Sequence, residues 1–264
     1  MTSLIPDLTL SPVLLDVAWP ARREAAAAIA RRIARMQEGL ARCDARVRRW
    51  YELGATPAEA AVPLPIAPSS LARRLAISHL PASAEEPDAA QGFDLTLWNG
   101  EQGPTHASLI IQAGSDRSGL EWGNDMVNHV AIAFEPPDPA NAELLTTRVL
   151  KPVLLALIDA WEPMTGNVRP LRLVDRWAGD PPMIEQLRCH GGWMTYLAAP
   201  ACHEIVPPPG SIAEETPDGG LLMLAAPDRV DAGDPAHLDA ALAIHLSLEP
   251  LWQPIDFPMD LPDF

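Results

Sequence analysis

Seven apolar residues, Ile29, Ile33, Met36, Leu40, Cys43, Val47 and Trp50, recur at alternating steps of four and three. At 3.6 residues per turn this spacing puts all seven on one stripe of a helix over residues 21–53, and a stripe of that length has to be buried. Nine arginines fall within residues 21–50, among them Arg31, Arg32, Arg42, Arg46 and Arg49, on the helix's other faces. A 4-3 repeat also suits a coiled-coil seam. Three heptads bounded by Pro20 and Gly54 fit better an amphipathic helix lying across the chain's own sheet. Its arginines then form a solvated face, neutralised in part by the protein's own acids.

That basic helix is embedded in an acidic chain. The net charge over 264 residues is -16, so most of the surface repels phosphate, and nucleic acid binding through the overall field is disfavoured. A basic partner is favoured, because an acidic face steers such a partner in from a distance; the plainer account of the charge is solubility. With 48% hydrophobic residues the chain can bury a sizeable core. It is expected to form a single domain over 1–264, with a subdivision near 163–168 left open and a Pro-rich acidic tail at 251–264. No stretch has the length and apolarity of a membrane span, and the first residues lack the pattern of a signal peptide. Cys43, Cys189 and Cys202 are an odd number in a long chain, which argues against a disulfide framework. Together these features predict a cytoplasmic protein.

Beyond the helix, prolines from Pro57 to Pro87 break the chain into irregular pieces, with room for a short helix at 69–77. Apolar runs at 93–98, 107–112 and 127–134, separated by turns, predict antiparallel strands. Residues 141–161 read as a helix that Pro152 kinks or breaks near Leu150. Further strands are expected at 168–174, 205–206 and 221–225, the last after the turn signal Pro217-Asp218-Gly219-Gly220. A short element is expected around 183–187, and another opens at Trp193. Asp234-Pro235 is a helix start, with Asp as N-cap and Pro in the first turn. Strands and helices come in blocks rather than in strict alternation, so the predicted class is α+β with antiparallel sheet packed against the long helix. The two halves repeat an order of strands then helix, a hint of duplication.

Two blocks stand out, Gly92-Phe93-Asp94-Leu95-Thr96-Leu97-Trp98-Asn99-Gly100 and Gly191-Gly192-Trp193-Met194-Thr195-Tyr196-Leu197. Neither has the residue types of a catalytic motif. They occur in order with Trp19-Pro20-x-Arg22, Trp50-Tyr51-Glu52-Leu53-Gly54, Gln112-Ala113-Gly114, Asn128, Trp161-Glu162-Pro163 and Asp234-Pro235-Ala236-His237-Leu238. In that order and spacing the chain resembles the immunity protein 52 family of bacterial polymorphic-toxin systems. The Pro-rich segments at 63–68 and after Leu251 depart from the pattern, so no role is carried over to them. The resemblance implies a non-enzymatic immunity protein that binds a cognate secreted toxin, commonly a restriction-endonuclease-like nuclease delivered by type VI secretion. It implies no cofactor and no contact with nucleic acid or membrane, and leaves monomer or small oligomer open.

A nuclease cleft must be basic to hold DNA, so an acidic protein can block it by presenting carboxylates and aromatics where phosphates would sit. The expected docking face comprises Glu85, Glu86 and Asp88, Trp98 and Glu101, Asp116, Glu121, Trp122 and Asp125, and Glu214, Glu215 and Asp218. Trp98 and Trp122 are expected to be exposed anchors, and Trp193 a core residue. Cys189-His190 and Cys202-His203 supply zinc-type ligands. Adjacent ligands on a strand point to opposite sides, however, and no CxxC or HExxH supports them. A metal-dependent hydrolase built on these pairs, and a secretion-system adaptor or chaperone, are the alternatives. Gly114-Ser115-Asp116-Arg117-Ser118-Gly119 lacks the ending of a P-loop, neither serine lies in a nucleophile elbow, and His237 reads as a helix-start residue bonding locally.

Overall fold

A computed structural model describes residues 8–54, 56, 60–77, 92–116, 127–173, 191–229 and 231–251. Outside them lie Glu85, Glu86, Asp88, Glu121, Trp122 and Asp125, the Cys189-His190 pair, the element expected at 183–187 and most of the 251–264 tail.

The fold is α+β. Strands β1 (Val13–Trp19), β2 (Tyr51–Glu52), β3 (Phe93–Trp98), β4 (Ala107–Ala113), β5 (Asn128–Phe134), β6 (Thr165–Pro170), β7 (Met194–Leu197), β8 (Ile212–Glu215) and β9 (Leu221–Leu224) form one antiparallel sheet. Its order is β2-β3-β4-β5-β1-β6-β7-β9-β8. The helices are α1 (Ala26–Cys43), α2 (Pro68–Leu75), α3 (Thr147–Trp161), α4 (Ala199–Cys202) and α5 (Pro235–Ser247).

The pleat divides each strand between two environments. Val13, Leu15, Val17 and Trp19 of β1, Leu95 and Leu97 of β3, Leu109 and Ile111 of β4, and Val130 and Ile132 of β5 are buried in one core with α1, α2 and α3. On the opposite face α5 covers the far end of the sheet, where Leu197 and Met223 join Ala241, Ile244 and Leu248. The same strands thus serve both cores: Leu222 and Leu224 of β9 belong to the first, Met223 between them to the second. On β1, β4 and β5 that second face is half-buried and mixed, with Asp16, Ser108, Gln112 and His129 on it. Asp16 is bonded there by Arg169, and Gln112 Nε2 donates to Asp94 at 2.8 Å.

Several elements differ from the sequence expectation. The apolar stripe is buried as predicted at Ile29, Ile33, Met36, Leu40, Val47 and Trp50, with Cys43 half-buried. The helix itself is shorter than 21–53. Asp44 ends it by taking Arg46 N–H and the Arg46 guanidinium, drawing the backbone into a 3-10 turn at Ala45–Val47 that still delivers Val47 to the core. The Arg46 guanidinium, hydrogen-bonded to it, holds the Asp44 carboxyl below the usual carboxylate range. Besides sharing the sheet's core, α1 packs along α2 and α3. It approaches α3 so closely that a Cβ on Gly39 would lie 2.8 Å from Ala156 Cβ.

The helix expected from residue 141 begins at Thr147, because Asn141 anchors a turn instead. Its Nδ2 donates to the Pro104 and Pro136 carbonyls, and its Oδ1 accepts from Asp138 N–H. From there α3 runs unbroken through Pro152. Residues 205–206 are not a strand; the hairpin partner of β9 is β8, and Pro217-Asp218-Gly219 is the turn between them. Strand β6 begins three residues before the expected 168. Strand β1, near the middle of the sheet, was not anticipated at all.

Candidate functional site

The two sequence blocks turn out to be joints of the scaffold. Asn99 ties the β3–β4 turn with four bonds: its Nδ2 donates to the carbonyls of Arg46 (3.1 Å) and Thr105 (2.9 Å), and its Oδ1 accepts from the N–H of Glu101 (3.2 Å) and Ala107 (3.0 Å). Gly100 has φ +80, and a Cβ there would lie 2.7 Å from the Tyr51 ring, so only glycine fits. In the second block Gly191 sits against α5. A Cβ on it would stand 2.4 Å from His245 Cα, and its N–H donates to His245 Nδ1 at 3.2 Å. A Cβ on Gly192 would lie 2.7 Å from the Val168 carbonyl oxygen on β6. Burial pushes the His245 imidazole below its ordinary value, which favours the neutral ring whose Nδ1 accepts this bond.

Trp19-Pro20-x-Arg22 and Trp161-Glu162-Pro163, 140 residues apart in the chain, meet in space. The rings of Trp19 and Trp161 stack at 5.3 Å, and the Arg22 guanidinium lies 4.9 Å over Trp19. Arg22 Nη2 donates to the Trp161 carbonyl (2.8 Å) and Arg32 Nη1 to the Ala160 carbonyl (3.0 Å). Two cations thus cap the carbonyls that the end of α3 leaves open, where the helix dipole favours positive charge. The Glu24 carboxylate bridges the two arginines, and that of Glu162 pairs with Arg32. Beside this joint opens an apolar cleft of about 330 Å³ lined by Trp19, Pro20, Met164 and Ala198.

The described residues of the expected docking face fall in three places. Trp98 and Glu101 stand at the β3–β4 turn, Glu101 exposed and Trp98 half-buried, its indole N–H given to the Ala60 carbonyl at 2.9 Å. Asp116 follows β4 at that strand's other end, 3.5 Å from Arg23. Glu214, Glu215 and Asp218 belong to the β8–β9 hairpin at the far edge of the sheet. At about 4.8 Å per strand, β3 and β8 are separated by roughly 30 Å, so these groups do not form one compact patch.

Within the hairpin the acids differ. Asp218 accepts from Tyr196 Oη and from Thr216 Oγ1, so it braces the turn, and its hydrogen bonds hold it below the usual carboxylate range against the opposing pull of desolvation. Glu214 is bonded by Lys151 of α3, which seats the strand over the helix. Glu215 is exposed. A cleft of about 420 Å³ runs beside them, lined by Cys202, His203, Ile205, Ala213, Glu214, Glu215 and Leu221.

Sequence reasoning missed β8 and this cleft. The available signal was Ile212-Ala213-Glu214-Glu215 immediately before the Pro-Asp-Gly-Gly turn, a hairpin arm in the expected position. It also missed the meeting of the two tryptophan blocks, which no local pattern reveals.

The arginines behave as a neutralised face. Arg22, Arg32, Arg35, Arg46 and Arg74 pair with Glu24, Glu162, Asp159, Asp44 and Glu52. The chain's own acids thus occupy much of its positive charge. Of the groups considered for catalysis, Cys202 Sγ is turned to the Ala199 carbonyl at 3.2 Å and His237 Nδ1 accepts from Asp231 N–H at 3.0 Å. Among the described residues no group of three or more His, Cys, Asp or Glu could hold a metal ion. No helix is long and apolar enough to cross a membrane.

Comparison with known proteins gives one family. The profile described as Immunity protein 52 matches residues 15–251. No curated protein matches. Among solved structures, a Pseudomonas aeruginosa T6SS protein is similar at 10% identity and a TM-score of 0.49, over 91% of this chain and 73% of that one.

Proposed function

The chain belongs to the immunity protein 52 family, and from that membership we propose that it binds and neutralises a cognate secreted antibacterial toxin, a nuclease effector of type VI secretion. The observation that carries the reading is the family match over nearly the whole chain. Charge supports the nuclease: a protein of net charge -16, with much of its arginine neutralised internally, complements a surface evolved to hold phosphates. Inhibition is then occlusion. The toxin's basic cleft is filled by carboxylates on turns and strand edges, and long-range attraction raises the rate of encounter by roughly ten- to a thousandfold at low salt.

Co-expression with the nuclease-like toxin encoded beside this chain tests the reading. Host survival together with a complex that survives purification is the expected result. Death of the host with toxin active and this protein soluble would overturn it. Charge reversal maps the face: Glu121→Lys with Asp125→Lys, and separately Glu214→Lys with Glu215→Lys, should each weaken binding and flatten its salt dependence. Unchanged affinity in both would remove those acids from the interface.

A further inference from the structure

Strand β8 ends the sheet, and among the described residues nothing pairs with its outer side. The hairpin fixes which of its backbone groups are free. Thr216 N–H donates to the Gly220 carbonyl at 2.8 Å and Gly219 N–H to the Thr216 carbonyl at 2.9 Å, so residues 216 and 220 are a hydrogen-bonded pair. In an antiparallel ladder such pairs alternate. Glu214 with Leu222 and Ile212 with Leu224 are therefore the next bonded pairs, while Ala213 and Glu215 turn their N–H and C=O groups outward. Both are exposed, and Ile212 is 37% exposed. Side chains of an added strand would alternate between the two faces. On one of those faces lies the 420 Å³ cleft, walled by Ala213 and Glu215 on the strand and by Cys202, His203 and Ile205 beyond it.

Resting on the toxin-binding reading above, we propose that the outer edge of β8 accepts an extended basic segment of the toxin as a further strand, with alternate Lys or Arg side chains of that segment entering the cleft. Backbone pairing supplies affinity and the cleft supplies selectivity, the division of labour found wherever a strand is added to a sheet edge. The occupant is basic because the lining presents the exposed carboxylate of Glu215 and no Lys or Arg. A second copy of this chain is disfavoured, since edge-to-edge pairing would bring two acidic pairs into one ladder. Glu214 is already engaged by Lys151, which leaves Glu215 as the carboxylate that meets the incoming cation.

The test uses the full chain and its toxin. Hydrogen exchange of the complex against the free protein should show the amides of Ala213 and Glu215 slowed at least tenfold. Ala213→Pro removes an outward N–H without touching the β8–β9 ladder and should weaken binding at least tenfold. Glu215→Lys should do the same by charge. If the proline variant fails to fold, the exchange data on the wild type and the Glu215→Lys affinity decide. Wild-type rescue and binding with no slowing at 213 and 215, or with Glu215→Lys binding like wild type, overturns this surface and leaves the immunity reading standing. A wild-type chain that neither rescues nor binds an active toxin overturns the immunity reading, and this surface with it.

Discussion

His245 accepts a backbone bond through a nitrogen that protonation would abolish, and the surrounding burial lowers its pKa from an ordinary 6.5. As pH falls through that value the unfolded chain takes up the proton before the folded one does. The folded state therefore loses stability on acidification, and regains it as pH rises. Urea unfolding between pH 7 and pH 5 should show this loss, and His245→Asn, which keeps an acceptor for Gly191 N–H, should shrink it. His129, also held below its ordinary value by burial, leaves a remaining slope. An unchanged slope in His245→Asn would show that the proton is taken up elsewhere. Its partner is equally constrained: Gly191→Ala places a methyl 2.4 Å from His245 Cα, an overpacking that should cost about 1–3 kcal/mol in the same assay. Arg22→Ala removes a cation from Trp19 and from the end of α3 at once, and a loss of about 1.5–3 kcal/mol is expected in chemical denaturation. These residues were legible in sequence only as members of a pattern. That Gly191, Asn99 and Arg22 are joints follows from neighbours 54, 53 and 139 positions away, distances over which no local periodicity operates.

Elements were read best where one face is apolar and the other polar. The α1 stripe, the alternation in β3 and the Asp234-Pro235 start of α5 each announce themselves locally, and Asp234 does cap α5 by accepting from Ala236 N–H. Strand β1 does not. Its residues Val13-Leu14-Leu15-Asp16-Val17-Ala18-Trp19 place Leu14 and Ala18 on the half-buried face as well as apolar groups on the buried one, so the run resembles a buried helix as much as a strand. Asp16, the residue that argues against burial, is matched by Arg169 on the neighbouring strand. Helix ends were misread for a related reason: Asp44 and Asn141 have side chains that compete with the helical backbone, and the tertiary setting decides the contest. The α1–α3 crossing offers an element-scale test. Gly39→Leu drives a side chain into Ala156, and the two helices must part. Melting temperature should fall by several degrees, and Gly39→Leu with Ala156→Gly should recover part of the loss; no coupling between the two would mean that the helices do not touch there.

At the scale of the whole molecule, charge sets two opposed responses to salt. A net charge of -16 repels itself, so raising ionic strength should stabilise the free protein. The same screening weakens attraction to a basic partner. Melting temperature should therefore rise, and the association rate with the toxin fall, between about 0.02 M and about 0.5 M salt, where the Debye length shrinks from roughly 20 Å to about 4 Å. A binding rate indifferent to salt would exclude steering. The acidic balance was readable from composition, but the distribution of the proposed docking acids among separate ends of the sheet was not, because strand order places β3 and β8 far apart. The place of β1 in that order also bears on how the protein is made. Strand β1 precedes in the chain both of the strands that hold it, β5 and β6, which end at Phe134 and Pro170. At about 5–20 residues per second, it waits for roughly eight to thirty seconds of synthesis before its second neighbour exists. A nascent chain shorter than that has no sheet centre, so under the proposed function only finished copies can hold a toxin.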